Sequence, residues 1–435
     1  MTRQSQTIAQ LPWNRQVLND ELFRRAPVPV ATHALVTHSA VLQDAAQMRD
    51  AAEYLRNALR SYGQYQESGD HDYRIMRIGD AVQVKCERHT EFTDYTQVAA
   101  ANGQTPFAED AGSISTAWMN ALPGLRIAAS KLLVLPQSDK ESVARAVASL
   151  SAPTSSSTVA DGQARIWADC RIQDDGYTRI LVVDSGMQGD RRARLIQRLL
   201  EIEDYRMLAM LGFVPAKSIM TSLQGMETQL QNLMTEVANS HPDHGQGDGE
   251  KILRQLLGLA AQVQQYSTDH TFRFDASRAY FALVNKRTRE LREERTQDYQ
   301  RLGYFLDRRL GPAMQTMEAV RGRLETLSDH IDRAASLIRT RVDLGLQRKS
   351  SHLLRSMNRR SAQQLRLQQT VEGLSLVAIS YYSLGIVMYL AKAAVELGLP
   401  VNPATVTGLA ALPIIGGVYW VIHRISMQVG KYSDV

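Results

Sequence analysis

The chain has 435 residues, with 50 Lys and Arg against 45 Asp and Glu for a formal charge of +5, and 44% hydrophobic and 22% charged residues. That length allows two or three domains with a real core, and the composition excludes a disordered or collagen-like chain. Two cysteines, Cys86 and Cys170, cannot build a disulfide framework or a cysteine-rich zinc site.

Residues 1–30, punctuated by Pro12, Pro27 and Pro29, read as an irregular arm without a signal-peptide core. An apolar run at 31–37 precedes a helical stretch at 44–60. Two alternating runs, 72–78 and 81–89, turn at Gly79-Asp80, which is a hairpin signal. Residues 92–98 add a strand, 115–121 a short helix, 125–135 a strand and 139–150 a helix. The Ser- and Thr-rich stretch 151–161 reads as a flexible connector. A second hairpin follows at 164–172 and 177–184. Strands and helices in this order imply a mixed sheet with helices on one face.

Strand signals stop near Gln188. Residues 191–239 are helical with a kink at 212–215, and 241–250 break the pattern. Residues 250–310 are helical with a discontinuity near 268–274, and Gly311-Pro312 marks another break before helix resumes into the C-terminal part. Leu324, Leu327, Ile331, Ala334 and Ile338 follow steps of 3, 4, 3 and 4, a coiled-coil seam. Val342, Leu346, Leu353 and Met357 continue it. Carried onward, the same face presents Gln364, Gln368, Val371, Ser375, Ala378, Tyr382, Gly385 and Tyr389. Small and hydroxyl residues suit close packing between helices or subunits. A narrow polar path around an oligomer axis is the other reading.

The last 63 residues hold five charged side chains. Residues 373–391 and 397–422 carry no charge, and about 20 apolar residues span a bilayer core. Arg348, Lys349, Arg355, Arg359, Arg360 and Arg366 precede the first span, and Arg424 and Lys431 follow the second. Their positions put both termini in the cytoplasm, and lipid headgroups suit the basic run better than nucleic acid does. The chain thus divides into a cytoplasmic α/β domain (1–187), a helical hairpin and stalk (188–372), a first transmembrane helix (373–391), a periplasmic loop (392–403), a second transmembrane helix (404–423) and a cytoplasmic tail (424–435). The fold class is α+β: a mixed α/β domain, a long coiled-coil-like stalk and a two-helix transmembrane hairpin.

P-loop, nucleophile-elbow and His-Glu-x-x-His motifs do not occur, so no catalytic residue or cofactor is expected and the chain reads as a non-enzyme. The best chemical cluster is Glu87, His89 and Glu91, which share one face of a strand beside Lys85 and offer ligands for a divalent cation. A salt-bridged strand face is the alternative. His241, Asp243, His244 and Asp248 form a second group on a Gly-rich turn. The charged segments at 200–206 and 290–295 read as solvated or cross-helix-paired faces.

The stretches LNDELFRRAPVP (18–29), KCERHTEFTDYT (85–96), AWMNALPG (117–124), QRLLEIEDYRMLAML (197–211) and FRFDASRAYFALVNKRTRELREER (272–295) resemble one bacterial family, as do FLDRRLGPAM (305–314) and LRLQQTVEGLSLVAISYYSLG (365–385). That family consists of predicted membrane-anchored proteins of unknown function, and the resemblance implies location, not activity. A cytoplasmic α/β domain, a stalk continuing into a first span and a short loop before a second are also similar in architecture to CorA-type divalent-cation channels. That likeness implies a pentamer whose first span lines a pore. Those channels carry Gly-Met-Asn after the first span, whereas here Gly398 and Asn402 stand apart, which argues against magnesium selectivity. The expected protein is a multi-pass protein of the bacterial inner membrane, a homo-oligomer with a sensor or scaffold domain. A CorA-like channel is the alternative, and no protein partner is identifiable.

Overall fold

Asp44 starts the first helix of the sheet domain by a local device. Its carboxylate accepts from the Ala46 and Gln47 amides, and the Gln47 side chain accepts from the Asp44 amide, a capping box that opens α1 (Ala45–Arg60). The computed structural model describes residues 27–69, 72–79, 82–109, 115–239, 246–397 and 402–431, with Arg15 and Asn19. They group into two units. One runs to Ala238 and resumes over Arg254–Ala335, and the other comprises Asn239–Leu253 and the chain from Ser336 onward.

The strands are β1 (Ala34–Leu42), β2 (Tyr65–Gly69), β3 (Tyr73–Ile78), β4 (Val82–Arg88), β5 (Phe92–Ala100), β6 (Leu125–Pro136), β7 (Ser155–Val159), β8 (Ala164–Ala168), β9 (Thr178–Asp184) and β10 (Glu294–Arg295). They form one sheet in the order β10-β7-β8-β9-β6-β1-β5-β4-β3-β2. Strands β6 and β9 run parallel and the other neighbours antiparallel. Between them lie α2 (Ala117–Asn120) and α3 (Lys140–Ala148), and then follow α4 (Gly189–Met210), α5 (Phe213–Asn239), α6 (Gln246–Glu290), α7 (Leu302–Glu396) and α8 (Pro403–Lys431).

Helices cover both faces of this sheet, not one. The central strands are apolar on both sides, as a doubly covered sheet requires. Val36, Leu132 and Ile180 pack with Leu195 and Leu199 of α4. On the other face Leu35, Leu133 and Leu181 join Ala146 of α3, and Val41, Val84 and Tyr95 join Leu55 and Leu59 of α1.

The stretch expected to be a flexible connector contains β7. Ser155, Ser156 and Ser157 are buried there between β8 and β10, and strand pairing satisfies a backbone that composition alone marks as loop. The Ser155 hydroxyl donates to the Ala168 carbonyl and that of Ser157 to Glu293.

Among the helices, the kink near Gly212 is a true break between α4 and α5. A side chain there would meet Met317 Sδ at 2.6 Å and Ser277 Oγ at 2.8 Å, so glycine lets these two side chains approach the break closely. Helix α6 runs through 268–274 without a discontinuity, and the interruption lies after Glu290, where β10 intervenes. Helix α7 passes through Gly311-Pro312, with Leu310 and Ala313 both buried, so packing on either side of the proline overrides its local cost.

Leu324, Leu327, Ile331, Ala334 and Ile338 are all buried within the chain itself. The aliphatic part of the expected coiled-coil seam is therefore covered by packing inside one chain, and a coiled coil between chains is not what buries it. Arg323 of α7 makes a bidentate pair with Glu227 of α5 (3.0 and 2.6 Å) at the same level.

Two helices, within Leu302–Val395 and Pro403–Arg424, are long and apolar enough to cross a membrane. Within the apolar part of α7, Ser380 and Ala391 are buried while Tyr382 and Tyr389 are exposed. Ser380 and Tyr382 lie about 200° apart around the helix at roughly 100° per residue, so the stripe of Ser375, Ala378, Tyr382, Gly385 and Tyr389 is not the covered face. On α8 the half-buried positions Thr407, Ala410, Ala411, Ile414, Val418 and Ile422 fall on one helical face. Small residues recur there, the side-chain type that lets apolar helices approach closely.

The start of α7 is capped by Glu293 and by Ser157, whose hydroxyl also accepts from the Leu302 amide at 3.1 Å. Glu293 accepts from the Leu302 and Gly303 amides, both at 2.9 Å, and from the Ser157 hydroxyl at 2.6 Å. Glu293→Ala leaves orphan donors at a helix N-terminus, so it should cost about 2 kcal/mol of unfolding free energy. Denaturant unfolding followed through Trp118 and Trp167 checks this.

Candidate functional site

Strand register places five polar side chains in one line. Lys85 of β4 faces Thr96 of β5, Thr96 faces His38 of β1, His38 faces Ser130 of β6, and Ser130 faces Thr178 of β9. All five are buried. One step along, Glu87 and Asp94 are paired in register and also buried. A row of this kind beneath a helix is costly unless every group finds a partner. Helix α4 supplies partners by placing carboxylates on its inner face: Ile196, Leu200, Asp204 and Leu208 follow one another at helical spacing, and Asp204 takes an apolar position in that stripe.

His38 Nε2 lies 3.0 Å from both Asp204 carboxylate oxygens, and its Nδ1 lies 2.8 Å from Thr96 Oγ1. Thr178 donates to Glu203 of α4 at 2.8 Å. Lys85 Nζ donates to Glu87 Oε2 at 2.8 Å and stands 3.6 Å from Asp94 Oδ1. His89 Nε2 lies 3.0 Å from Asp94 Oδ2 and 3.8 Å from Glu87 Oε1, and its ring stacks on Phe92 at 4.3 Å. His38, Lys85, Glu87, His89, Asp94 and Asp204 border a cavity of about 250 Å³. Its apolar wall includes Val28, Val30 and Ile196, and Glu201 and Arg287, themselves an ion pair, add charge.

Burial alone would lower the His38 imidazole, but the Asp204 charge and hydrogen bond outweigh it and hold the ring above its ordinary 6.5. Burial raises the Asp204 carboxyl against the pull of His38. The pair therefore keeps one proton above the pH at which an isolated imidazole gives it up. Burial would raise Asp94, but Lys85 and His89 hold it well below the usual carboxylate range. Burial would lower Lys85, and Asp94 and Glu87 reverse that.

Asp204, His38 and Thr96 stand in the order of a hydrolase triad, yet the arrangement is poorly suited to that chemistry. Strand β5 is paired on both sides, so its amides are committed to the sheet and unavailable as an oxyanion hole. Neither cysteine is a ready nucleophile, since burial pushes both Cys86 and Cys170 up to about 12.

Of the residues singled out by sequence, Glu87 and His89 come together, and Asp94 takes the third place. Glu91 sits near the tip of the turn closed by the His89 amide and Phe92 carbonyl and pairs instead with Arg273 at 2.9 Å. Arg348, Lys349, Arg355, Arg359, Arg360 and Arg366 lie exposed along α7, as do Gln364 and Gln368. Asn402 caps α8, its side chain accepting from the Ala404 amide at 3.1 Å. Gly398 lies outside the described residues, as do His241, Asp243, His244 and the side chain of Asp248. Sequence reasoning missed His38, Asp94 and Asp204. The signal for Asp204 was its place in the apolar helical stripe, and for His38 and Asp94 the match of strand alternation to neighbouring buried residues.

Asp204→Asn should move the His38 titration downward, because burial then acts with less opposition. In the native protein the stabilisation from His38 is fully present below pH 6.5, its ordinary value, and is lost as pH rises through its raised folded value. An NMR titration of the His38 ring in the two proteins reads both effects.

A search of curated proteins finds no match to this chain, and neither comparison supports the likeness to CorA-type channels. A family model described as a protein of unknown function, DUF3422, matches residues 12–429. With nearly its whole length matched, the chain belongs to this family of proteins of unknown function.

Proposed function

We propose that the protein is a membrane-anchored, ligand-responsive module that acts by binding and not by catalysis. The observation that carries this reading is the coexistence in one chain of a charged cavity beneath the sheet and two exposed apolar helices. A cavity that mixes apolar walls with a few fixed polar groups is the ordinary form of a small-ligand site. The apolar helices anchor the chain in the bacterial inner membrane as a two-span protein. The basic residues at 348–366 and Arg424 favour cytoplasmic placement of both flanks, with the basic run against anionic headgroups.

Assembly into a homo-oligomer belongs to the same reading. Between its buried aliphatic part and its apolar end, α7 leaves Leu353, Leu354, Met357, Leu365 and Leu367 exposed. Apolar residues in that number on one helix are suited to cover by a second copy.

Carbonate washing of membranes should leave the full chain in the pellet and release a version ending at residue 372; release of the full chain would refute the anchor. Met357→Cys should give cross-linked chains in native membranes, with little background from the two native thiols. A protein that yields only single chains would refute assembly through α7.

A further inference from the structure

Two carboxylate oxygens and one imidazole nitrogen converge at the cavity wall. Glu87, His89 and Asp94 each present one ligand atom, and the three atoms lie within 4.8 Å of one another. With metal–ligand bonds of about 2.1 Å, neighbouring donors stand roughly 3.0 Å apart at octahedral angles and roughly 3.4 Å at tetrahedral ones. The separation of His89 Nε2 from Asp94 Oδ2, 3.0 Å, already has that value, and the 3.8 Å to Glu87 Oε1 needs only a small closure.

Asp94 is 5% exposed and lines the cavity, and its Oδ1 faces the Lys85 ammonium at 3.6 Å, which leaves Oδ2 on the His89 side. Lys85 engages the opposite side of the same carboxylates, at Glu87 Oε2 and towards Asp94 Oδ1, and so orients Oε1 and Oδ2 towards His89. That is the role of an outer-shell partner, which fixes and charge-balances ligands without occupying the metal position. The stacking of His89 on Phe92 fixes the ring plane from the other side.

We infer that Glu87, His89 and Asp94 form a divalent transition-metal site, with Lys85 as its positioning residue and the remaining coordination positions open to the cavity. One imidazole with two carboxylates favours manganese, iron or zinc over magnesium, which prefers oxygen ligands alone. This inference rests on the ligand-binding reading above and names the ligand.

The test uses the full-length protein in mild detergent, stripped with chelator and titrated with MnCl₂ while free Mn²⁺ is followed by electron paramagnetic resonance. One Mn²⁺ per chain is expected, displaced by ZnCl₂ and not by equimolar MgCl₂. His89→Gln and Asp94→Asn should abolish binding, Lys85→Met should weaken it by about 10–100-fold, and Glu91→Gln should leave it unchanged. Absence of stoichiometric Mn²⁺ and Zn²⁺ binding by the native protein overturns the site, and this result needs no variant to fold. Binding that survives in folded His89→Gln and Asp94→Asn overturns it equally. If metals fail but small polar compounds raise the melting temperature in chelator, the metal assignment falls and the cavity remains a ligand site. If both fail, the ligand-binding reading falls with it.

Discussion

A charge taken out of water beneath a sheet must be paired with an opposite charge, and the sheet unit is organised around that demand. His38, Lys85, Glu87, Asp94 and Asp204 are all buried around one cavity. His38 of β1 is held by Asp204 of α4 and Lys85 of β4 by Glu87 and by Asp94 of β5, so the position of α4 over β1 is set by a hydrogen bond as well as by packing. Leu195 and Leu199 bind one end of that helix to the apolar core, while Asp204 binds it to His38. Apolar residues of similar volume would hold the helix with less desolvation cost. Their absence is what makes this region a functional candidate.

The same balance of solvation governs the other unit in reverse. Leu374, Val377, Tyr381, Ile386 and Leu390 on α7, and Leu409 and Leu412 on α8, are exposed. In water these residues would drive association, whereas in a bilayer they are simply solvated. One chain therefore carries a polar row hidden from water and an apolar pair of helices presented outward, and α7 contributes to both units.

Much of this was legible in the sequence. The two uncharged runs read directly as helices apolar enough to cross a membrane, because about 20 apolar residues without charge is a strong and local signal. The hairpins β3–β4 and β8–β9 and helix α1 were also legible, since turn residues and the Asp44 cap act over a few positions. Covering of both faces was not, because it depends on how β6, β9 and β1 are brought together, with β6 and β9 parallel across a long crossover. Strand β7 escaped because serine signals loop locally, and only β8, β10 and Glu293 make it a buried strand. The cluster at Glu87 and His89 was half legible: alternation along one strand gives two members, but the third depends on register with β5. Asp204, 166 positions from His38, was legible only as a carboxylate in an apolar stripe.

The central claim is that the buried charges by the cavity are kept for binding at a cost to stability. Replacing Lys85, Glu87 and Asp94 together by Met, Leu and Leu separates the two roles. Denaturant unfolding in mild detergent, read through Trp118 and Trp167, should give a stability equal to the native protein or up to about 4 kcal/mol higher. A loss of about 3 kcal/mol or more would show the charges to be structural and would contradict the account.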